Sequence, residues 1–308
     1  MNTNTPDAGA LNTKLMIELV GADTGFSING FTYARCGAPT IAITVQGVAM
    51  HGFSDAIVGG GLSTPKAQIN IYGCFLGTKI DGTSLPTLGN TGAAIRVDND
   101  NVQIGGIQPW QRNLLSGNST GVLAGSPNST VIVEGNLIGT DATGALAIPN
   151  GTNSNWPGLL LNANFPGLRI GCTGAGCTAP GHPSRNVISG NHNVGLGIWD
   201  GPAQGTGGIQ IKGNYIGTDW SGTQPLPNGD AVGGCPTYCA GIQLTGSSSV
   251  ATPASIIGGS NPGEANLIAF NNGAGIISSP QYNANGAIGA SFDSIIFNNG
   301  FDGCPVLF

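Results

Sequence analysis

The chain has very few charged residues. Its 308 residues include nine Lys and Arg and fifteen Asp and Glu, with only three Glu and four Lys. Because Glu and Lys are among the better helix formers, their scarcity argues against a helix-rich fold. Gly, by contrast, occurs 54 times, and Gly destabilises helix interiors.

Long apolar runs are also missing. Apolar residues make up 40% of the chain, but none of the runs is long enough for a membrane-spanning helix. The net charge of −6 argues against a nucleic-acid or anionic-lipid partner. The first ten residues lack the basic and apolar regions of a signal peptide, so we interpret them as the start of a mature or truncated chain.

The chain is dominated by a repeated phrase. Residues 136–144 read Asn-Leu-Ile-Gly-Thr-Asp-Ala-Thr-Gly, and Pro-Asn-Gly follows at 149–151. Residues 214–222 read Asn-Tyr-Ile-Gly-Thr-Asp-Trp-Ser-Gly, and Pro-Asn-Gly follows at 227–229. A weaker copy begins at Cys74. Self-similarity at a long period indicates a stack of near-identical units.

Further phrases recur in a constant order with the first. Ile-Gly-Gly occurs at 104–106 and 257–259, and Asn-(Leu/Val)-(Leu/Ile)-Ser-Gly-Asn occurs at 113–118 and 186–191. Strands introduced by Gly lie between these phrases. One cycle covers roughly 70 residues and contains about six short strands, which makes two turns of a three-strand coil.

This order predicts an all-β, right-handed parallel β-helix of about seven coils with three short strands per coil. A β-sandwich or barrel also has many short strands, but would not require the same phrases to return in the same order. We expect residues 1–40 to form an N-terminal cap or first strand, and residues 41–308 to form the solenoid.

Asn residues follow Gly at the ends of predicted strands. The examples are Asn118, Asn136, Asn191 and Asn214. Asn tolerates left-handed backbone at a bend, and its amide can bond to an Asn one coil away. We therefore interpret these residues as structural ladders, with Cys74 as a buried thiol in a ladder position.

The seven cysteines include two closely spaced pairs in Gly- and Pro-rich segments. Cys172 and Cys177 form one pair, and Cys235 and Cys239 form the other. Local disulfides are the favoured interpretation, with free thiols and a four-sulfur zinc site as alternatives. Three cysteines stay unassigned: Cys36, Cys74 and Cys304.

The repeated phrases resemble those of right-handed parallel β-helix proteins of the pectin-lyase-like superfamily, above all large secreted or surface-anchored bacterial repeat proteins. The resemblance covers about residues 40–300. It implies a secreted or cell-surface bacterial location. Because the shared motifs are corner and ladder residues, the resemblance says little about activity.

Alternate residues of a strand face outward, so the Gly-led strands define a surface. With Ile95, Leu161, Ile198 and Leu244 inward, the predicted outward column contains Arg96, Gly125, Asn162, Trp199 and Thr245. The flanking columns contain Ala94, Leu123, Leu160, Gly197 and Gln243 on one side, and Asp98 and Asn164 on the other. An aromatic ring among amides suits a sugar, so Asn162, Asn164, Trp199, Gln243 and Thr245 are the predicted substrate-binding residues. The alternative is an ordinary solvated face with a packed Trp.

The densest charge cluster on this face contains Arg96, Asp98 and Asp100, which are the candidate catalytic residues. The two carboxylates could hold Ca²⁺ or divide acid and base roles, with Arg96 stabilising a substrate carboxylate. The resemblance makes pectate-lyase chemistry worth testing, but the chain lacks an extended Asp cluster, Arg-x-Pro-x-x-Arg and the polygalacturonase signatures. An Asp-Asn-Asp at a turn can also simply form the loop.

Other polar residues carry weaker signals. Asp141 and Asp219 return with the repeated phrase, and we expect them to accept hydrogen bonds from loop amides. His51, His182 and His192 are predicted to be surface or loop residues.

Two functions follow from the sequence. The first is an extracellular carbohydrate-interacting protein, which could be a polysaccharide lyase or glycoside hydrolase and would have a polysaccharide or cell-surface glycan as partner. The second is a non-catalytic structural or adhesive segment of a longer cell-surface protein, which could also form homo-oligomers. Apart from Ca²⁺, no cofactor is predicted.

Overall fold

The chain forms a right-handed parallel β-helix. The computed structural model describes residues 15, 17–21, 31–32, 42–59, 67–87, 89–98, 100–125, 130–152, 156–162, 167–172, 184–199, 209–229, 239–245, 256–259, 261, 263–278 and 295–297. Successive strands join three parallel sheets in turn. The predicted fold class is thereby confirmed.

Sheet A has nine strands, listed here in chain order: β1 (Ile17–Val20), β4 (Val48–His51), β7 (Phe75–Leu76), β10 (Leu114–Leu115), β13 (Leu137–Ile138), β16 (Val187–Ile188), β19 (Tyr215–Ile216), β22 (Leu267–Ala269) and β24 (Ile295–Phe297). Sheet B has eight: β2 (Phe31–Thr32), β5 (Ile57–Gly59), β8 (Asn90–Val97), β11 (Asn118–Ala124), β14 (Leu159–Asn162), β17 (Leu196–Trp199), β20 (Ala240–Thr245) and β23 (Ala274–Ser278). Sheet C has seven: β3 (Ala42–Gln46), β6 (Gln68–Tyr72), β9 (Asn101–Gly105), β12 (Val131–Glu134), β15 (Arg169–Gly171), β18 (Gln210–Lys212) and β21 (Ile256–Ile257).

Strands β1 to β21 make seven complete coils, each with one strand from sheets A, B and C. Strands β1 and β2 fall within the segment predicted as a cap or first strand, and they pair in parallel with β4 and β5. This segment therefore contributes a first coil. The described residues include no helix long and apolar enough to cross a membrane.

The interior is filled by columns of aliphatic side chains. In sheet A, Leu76, Leu115, Ile138, Ile188 and Ile216 are each fully buried, and they stack in register from coil to coil. Burying such a side chain contributes roughly 1.5–3 kcal/mol. Because every coil adds an equivalent layer of aliphatic side chains, strands of only two or three residues are enough to build a long core.

Two ladders of buried side chains mark the corners on either side of sheet A. One precedes the sheet A strands and contains Cys74, Asn113, Asn136, Asn186, Asn214 and Asn266. The other follows these strands and contains Asn90, Asn118, Asn150, Asn191, Asn228 and Asn271. Within each ladder, the side-chain amide of an Asn donates to Oδ1 of the Asn in the next coil. The four Asn singled out in the sequence are thus split between two ladders.

Cys74 begins the first ladder, as predicted. It is fully buried and is a free cysteine. Its backbone N–H donates to Oδ1 of Asn113 at 2.9 Å, and its thiol contacts the carbonyl oxygen of Tyr72 at 3.3 Å. Burial raises the pKa of this thiol to about 11, so it stays protonated at neutral pH.

Candidate functional site

The outer face of sheet A is covered by the loops of the repeated phrase. In its central strands the outward residues are apolar and buried: Phe75, Leu114, Leu137 and Val187. Ala142 and Trp220, from the two full copies of the phrase, pack against them. Each full copy of the repeated phrase therefore supplies a strand of sheet A and a loop that covers the outer face of that sheet. Sheets B and C are the remaining faces to consider for binding.

The two loop carboxylates organise these covers. Asp141 accepts hydrogen bonds from the amides of Ala145 and Leu146, both at 3.1 Å. Asp219 accepts equivalent bonds from Thr223 and Gln224, at 3.2 and 3.1 Å. The predicted role of both Asp residues in bonding loop amides agrees with this geometry.

The register of sheet B corrects one predicted alignment. Arg96 pairs with Leu123, which places it in the column of Leu160, Gly197 and Gln243 and not in that of Trp199. The predicted position of Arg96 was wrong by two residues. The cause is Gly92, which resembles the glycines that lead the other strands of sheet B but does not occupy their position in the register.

Gly92 has a different local role. Its N–H donates to the carbonyl oxygen of Ser54 at 2.6 Å, and a side chain there would collide with Asp55. The neighbouring pairs Ala93–Thr120 and Ile95–Val122 place Ala94 at the position of Gly121. A register shift at the start of β11 accommodates the extra residue of β8.

Trp199 is exposed on sheet B, with 43% of its surface accessible. Its indole Nε1 lies 3.5 Å from where a Cβ of Gly197 would stand, and the ring of Pro157 lies against the same position. Trp156, directly before Pro157, is 38% exposed. Trp156, Pro157 and Trp199 are here called the tryptophan surface. The sequence reasoning missed Trp156, although a Trp next to Pro in a polar loop could have indicated it.

The other predicted sugar-binding residues are placed as follows. Thr245 pairs with Trp199 one strand on, Gln243 pairs with Gly197, and both are half-buried. Asn162 pairs with Trp199 from the other side. Asn164 lies outside the described residues. The strands on both sides of Trp199 therefore carry a polar residue type at the position paired with it.

The predicted catalytic cluster lies farther along the face. Asp98 follows Val97, so it occupies the Trp199 column three strands away, about 14 Å at the usual strand spacing. Arg96 is ion-paired on two sides: Nη1 lies 2.5 Å from Oδ2 of buried Asp55, and Nε lies 3.1 Å from Oδ2 of exposed Asp98. These three residues are here called the arginine cluster.

Asp100 points away from this cluster. It is almost completely buried, and its Oδ1 accepts a hydrogen bond from the backbone N–H of Ala67 at 2.7 Å. This contact ties the turn before β9 to the previous coil. Among the described residues, no three His, Cys, Asp or Glu side chains lie together in a way that could hold a metal ion.

A second polar cluster, which sequence reasoning missed, lies on sheet C. Glu134 is ion-paired with Arg169 at 3.3 Å between Oε2 and Nη1, and its Oε1 accepts from Nε2 of Gln103 at 3.0 Å. We call Gln103, Glu134 and Arg169 the glutamate cluster. Tyr72 packs edge-on against Trp110 beside it, with ring centroids 5.7 Å apart. No spacing signal reveals this cluster, because its members come from three different coils.

The electrostatics of the glutamate cluster are shaped by burial. Only 7% of the Glu134 side chain is exposed, and desolvation raises its pKa, partly opposed by Arg169 and Gln103. The pKa of Tyr72 is also raised, first by its own burial and then by the Glu134 charge. Burial thus favours the protonated form of this carboxyl group, against the pull of its two partners.

Cys172 and Cys239 are both buried, and neither is a free thiol. The residues predicted to bond to them, Cys177 and Cys235, lie outside the described residues, as do Cys36 and Cys304. The pairing of each disulfide stays a prediction.

The described histidines do not form a site. His51 is half-buried, with Nε2 3.1 Å from Oε1 of Glu18, which also accepts from the amide of Ile80. His192 is half-buried, and its backbone N–H donates to the carbonyl oxygen of Asn150. His182 lies outside the described residues.

No protein-family model matches the chain, and neither a curated protein nor a solved structure is significantly similar to it.

Proposed function

We propose that this chain is an extracellular, carbohydrate-interacting β-helix protein that binds polysaccharide on the outer face of sheet B. The observation that carries the proposal is the tryptophan surface. Trp199, on sheet B, and Trp156, in the loop before β14, keep 43% and 38% of their surfaces exposed. A contiguous exposed apolar patch, as formed by two Trp side chains and a Pro, can mark a binding site.

The chemistry of the surface suits a sugar. The indole of Trp199 lies beside Gly197, where the lack of a side chain leaves room for the ring of Pro157. A flat ring offers an apolar platform for the C–H face of a pyranose, and amide or hydroxyl groups bind its hydroxyls. Half-buried Gln243 supplies an amide from the next strand, whereas the hydroxyl of Thr245 is buried.

Binding without catalysis is the better-supported form of this proposal. A lyase or hydrolase would use Arg96 together with Asp98 and Asp100. The two carboxylates would serve as the acid and base or as Ca²⁺ ligands. However, Asp100 is committed to the amide of Ala67, and the guanidinium of Arg96 is already balanced by Asp55 and Asp98. To bind a substrate carboxylate, Arg96 would have to exchange one of these partners.

The experiment is a binding panel of soluble and insoluble plant, algal and bacterial polysaccharides, with and without Ca²⁺. We expect Trp199→Ala and Trp156→Ala each to lower affinity about fivefold or more, since an aromatic contact is worth about 1 kcal/mol. Leu146→Ala is the control, because Leu146 is 66% exposed on a loop outside sheet A. Retention of wild-type affinity by both Trp variants would refute the tryptophan surface as the site.

The same panel tests catalysis. Release of reducing ends or unsaturated sugars, lost in Arg96→Lys and Asp98→Asn, would establish the enzymatic form. Binding without product supports the non-catalytic form.

The second candidate is a non-catalytic structural or adhesive segment of a longer cell-surface protein. The specific observation in its favour is that the polar groups singled out by the sequence mostly serve the coil itself, as Asp100, Asp141 and Asp219 do. Absence of polysaccharide binding, together with attachment of the purified chain to cells, would favour this candidate.

The resemblance to the pectin-lyase-like superfamily, the secreted location and the two local disulfides belong to the same proposal. The pairs Cys172–Cys177 and Cys235–Cys239 suit an oxidising compartment. Peptide mapping without reduction, after expression in an oxidising compartment, should recover both linked pairs. Recovery of free thiols at these four positions would remove this support.

A further inference from the structure

The described part of the chain contains three Asn-Gly pairs, at positions 150–151, 228–229 and 272–273. In such a pair the backbone nitrogen of the Gly can approach the carboxamide carbon of the Asn with little hindrance, because Gly has no side chain and a freely variable backbone. The three pairs occupy related corners of the coil, but the fold surrounds their carboxamides very differently.

Two of the pairs are locked into the Asn ladder that follows the strands of sheet A. Asn150 and Asn228 are fully buried. The Asn228 amide donates to Oδ1 of Asn271 at 2.8 Å, and its Oδ1 accepts from Asn191. The next backbone N–H, that of Gly229, donates to the carbonyl oxygen of Asn191 at 2.9 Å. Asn150 has the equivalent contacts, so both pairs must open locally before they can react.

Asn272 is the exception, because its side chain is exposed. It lies one residue beyond the ladder. Its Nδ2 donates to the carbonyl oxygen of Gly229 at 2.7 Å, and its backbone N–H donates to the carbonyl oxygen of Asn228 at 3.0 Å. Within the described structure, one partly buried hydrogen bond therefore holds this carboxamide, whereas each of the two ladder carboxamides makes several buried ones.

We propose that Asn272 is a self-modification site, at which the folded chain slowly loses an amide group. The backbone nitrogen of Gly273 attacks Cγ of Asn272, the new C–N bond closes a succinimide ring, and the Cγ–Nδ2 bond breaks. The Nδ2 amino group leaves as ammonia with the proton of the Gly273 N–H. Water then opens the ring at either carbonyl and leaves aspartate or isoaspartate at position 272. The reaction does not depend on the proposed carbohydrate binding.

Both products remove a tie between neighbouring coils. An ionised carboxylate replaces the carboxamide, and a carboxylate cannot donate a hydrogen bond. The contact from Asn272 to the carbonyl oxygen of Gly229 is therefore lost, and two acceptor groups are left facing each other.

The isoaspartate product also lengthens the main chain by one methylene group directly before Gly273. This position has no spare room: Gly273 is buried, and even an added Cβ would collide with the carbonyl oxygen of Cys239. Strand β23 begins at the next residue, Ala274, which pairs with Ala240 of β20. Conversion should push β23 away from β20 and leave β20 with an unpaired edge. The modification thus acts as a slow, one-way switch at this end of sheet B.

The test follows the full chain during prolonged incubation at mildly alkaline pH. Peptide mapping by mass spectrometry measures amide loss at the three Asn-Gly pairs, and an isoaspartate-specific methyltransferase identifies the rearranged product. Unfolded synthetic peptides that contain the same pairs give the intrinsic rates. Asn272→Gln is the matched control, because it keeps an exposed amide but would have to close a less favourable six-membered ring.

In the folded chain we expect Asn272 to react at least about tenfold faster than Asn150 or Asn228, because the buried pairs react only from locally opened states. The three peptides should react at similar rates. Amide hydrogen exchange should become faster in Ala274–Ser278 of the incubated wild type and of fresh Asn272→Asp. It should stay unchanged in Leu196–Trp199 and throughout incubated Asn272→Gln.

Two results would overturn the modification site: equal rates at the three pairs in the folded chain, or an intact Asn272 after its peptide has been converted. Unchanged hydrogen exchange in β23, both after conversion and in Asn272→Asp, would overturn the switch. Circular dichroism before incubation checks that each variant is folded.

Discussion

Asn150 donates from Nδ2 to Oδ1 of Asn191 at 3.0 Å, one coil away along the helix axis. Its own Oδ1 accepts from the backbone and side-chain amides of Asn118, at 3.0 and 3.1 Å. A single side chain thus satisfies buried polar groups on two neighbouring coils. This relationship repeats along both ladders, and it explains why Asn returns at these corners.

Replacing Asn150 by Ala should destabilise the protein by about 2–4 kcal/mol, because several buried groups lose their partners at once. Urea unfolding monitored by circular dichroism measures the change. Asn70→Ala is the matched control: the Asn70 side chain donates to Oγ1 of Thr44 at 3.4 Å and accepts from Nε2 of Gln68 at 3.2 Å, and neither bond is fully buried. Equal losses in the two variants would contradict the ladder interpretation.

Gly217 should not tolerate a side chain. Its φ is +90°, and an added Cβ would collide with the carbonyl oxygen of Ala269 and with Asn271. We expect Gly217→Ala to cost more than about 2 kcal/mol. Gly125→Ala is the control, since nothing lies within 4 Å of a Cβ there. A thermal unfolding midpoint that falls equally in both would refute the expectation.

Phe270 occupies a position where the equivalent coils have Gly117 and Gly190, and it keeps their left-handed backbone with φ of +61°. Left-handed geometry costs a residue with a Cβ about 1–2 kcal/mol. Phe270→Gly should therefore be more stable than Phe270→Ala by about 1 kcal/mol, although both lose the same ring. At ordinary helix or strand sites the Ala variant is the more stable of the two. The sign of the difference in unfolding free energy, measured by chemical denaturation, therefore shows whether Phe270 is strained.

Cys74 should resist alkylation in the folded protein. Its pKa of about 11 and its burial leave almost no accessible thiolate at pH 8. Iodoacetamide followed by peptide mass spectrometry should label Cys74 only after unfolding in urea. Labelling of this peptide under native conditions at pH 8 would mean that the corner opens readily.

Glu134 should make stability fall as pH rises. Its pKa is raised in the folded state by desolvation, so the folded protein holds this proton more tightly than the unfolded chain. The contribution is complete below the unfolded pKa near 4.5, and it is lost as pH rises through the raised folded value. As pH rises from about 4.5 through the raised folded pKa of Glu134, the free energy of unfolding of the wild type should therefore fall relative to that of Glu134→Gln.

Asp81 offers a control of opposite sign. Hydrogen bonds from Thr83 lower its pKa, so its contribution is present above the unfolded pKa and is lost as pH falls through the lowered folded value. In Asp81→Asn, this loss of stability at low pH should be absent. The two variants should thus diverge in opposite directions when urea midpoints are measured across pH.

Much of the fold could be predicted from the repeats, because each corner and core position returns in order. The division of the Asn residues into two ladders could not be predicted. An Asn after a Gly occurs both before and after the short strands of sheet A, so the sequence does not distinguish the two corners. The alignment of Arg96 failed for a related reason. Gly92 resembles a strand-leading glycine but serves the turn at Asp55.

The candidate binding faces were harder to predict than the fold. Trp199 could be identified because a lone aromatic stands out in an outward column. Glu134 and Arg169 could not, since 35 residues separate them and neither lies in a motif. Asp100 appeared exposed in a polar turn, yet its carboxylate turns inward to the amide of Ala67.

The sequence by itself determined the coil. Gly, Asn and aliphatic residues in fixed order specify bends, ladders and core because each makes the same contact with its copy one coil away. Only the tertiary structure decided which non-repeating residues meet. Their contacts join different coils and sheets, so they depend on the register of the strands and on loops folding over a face, and neither is encoded in a local pattern.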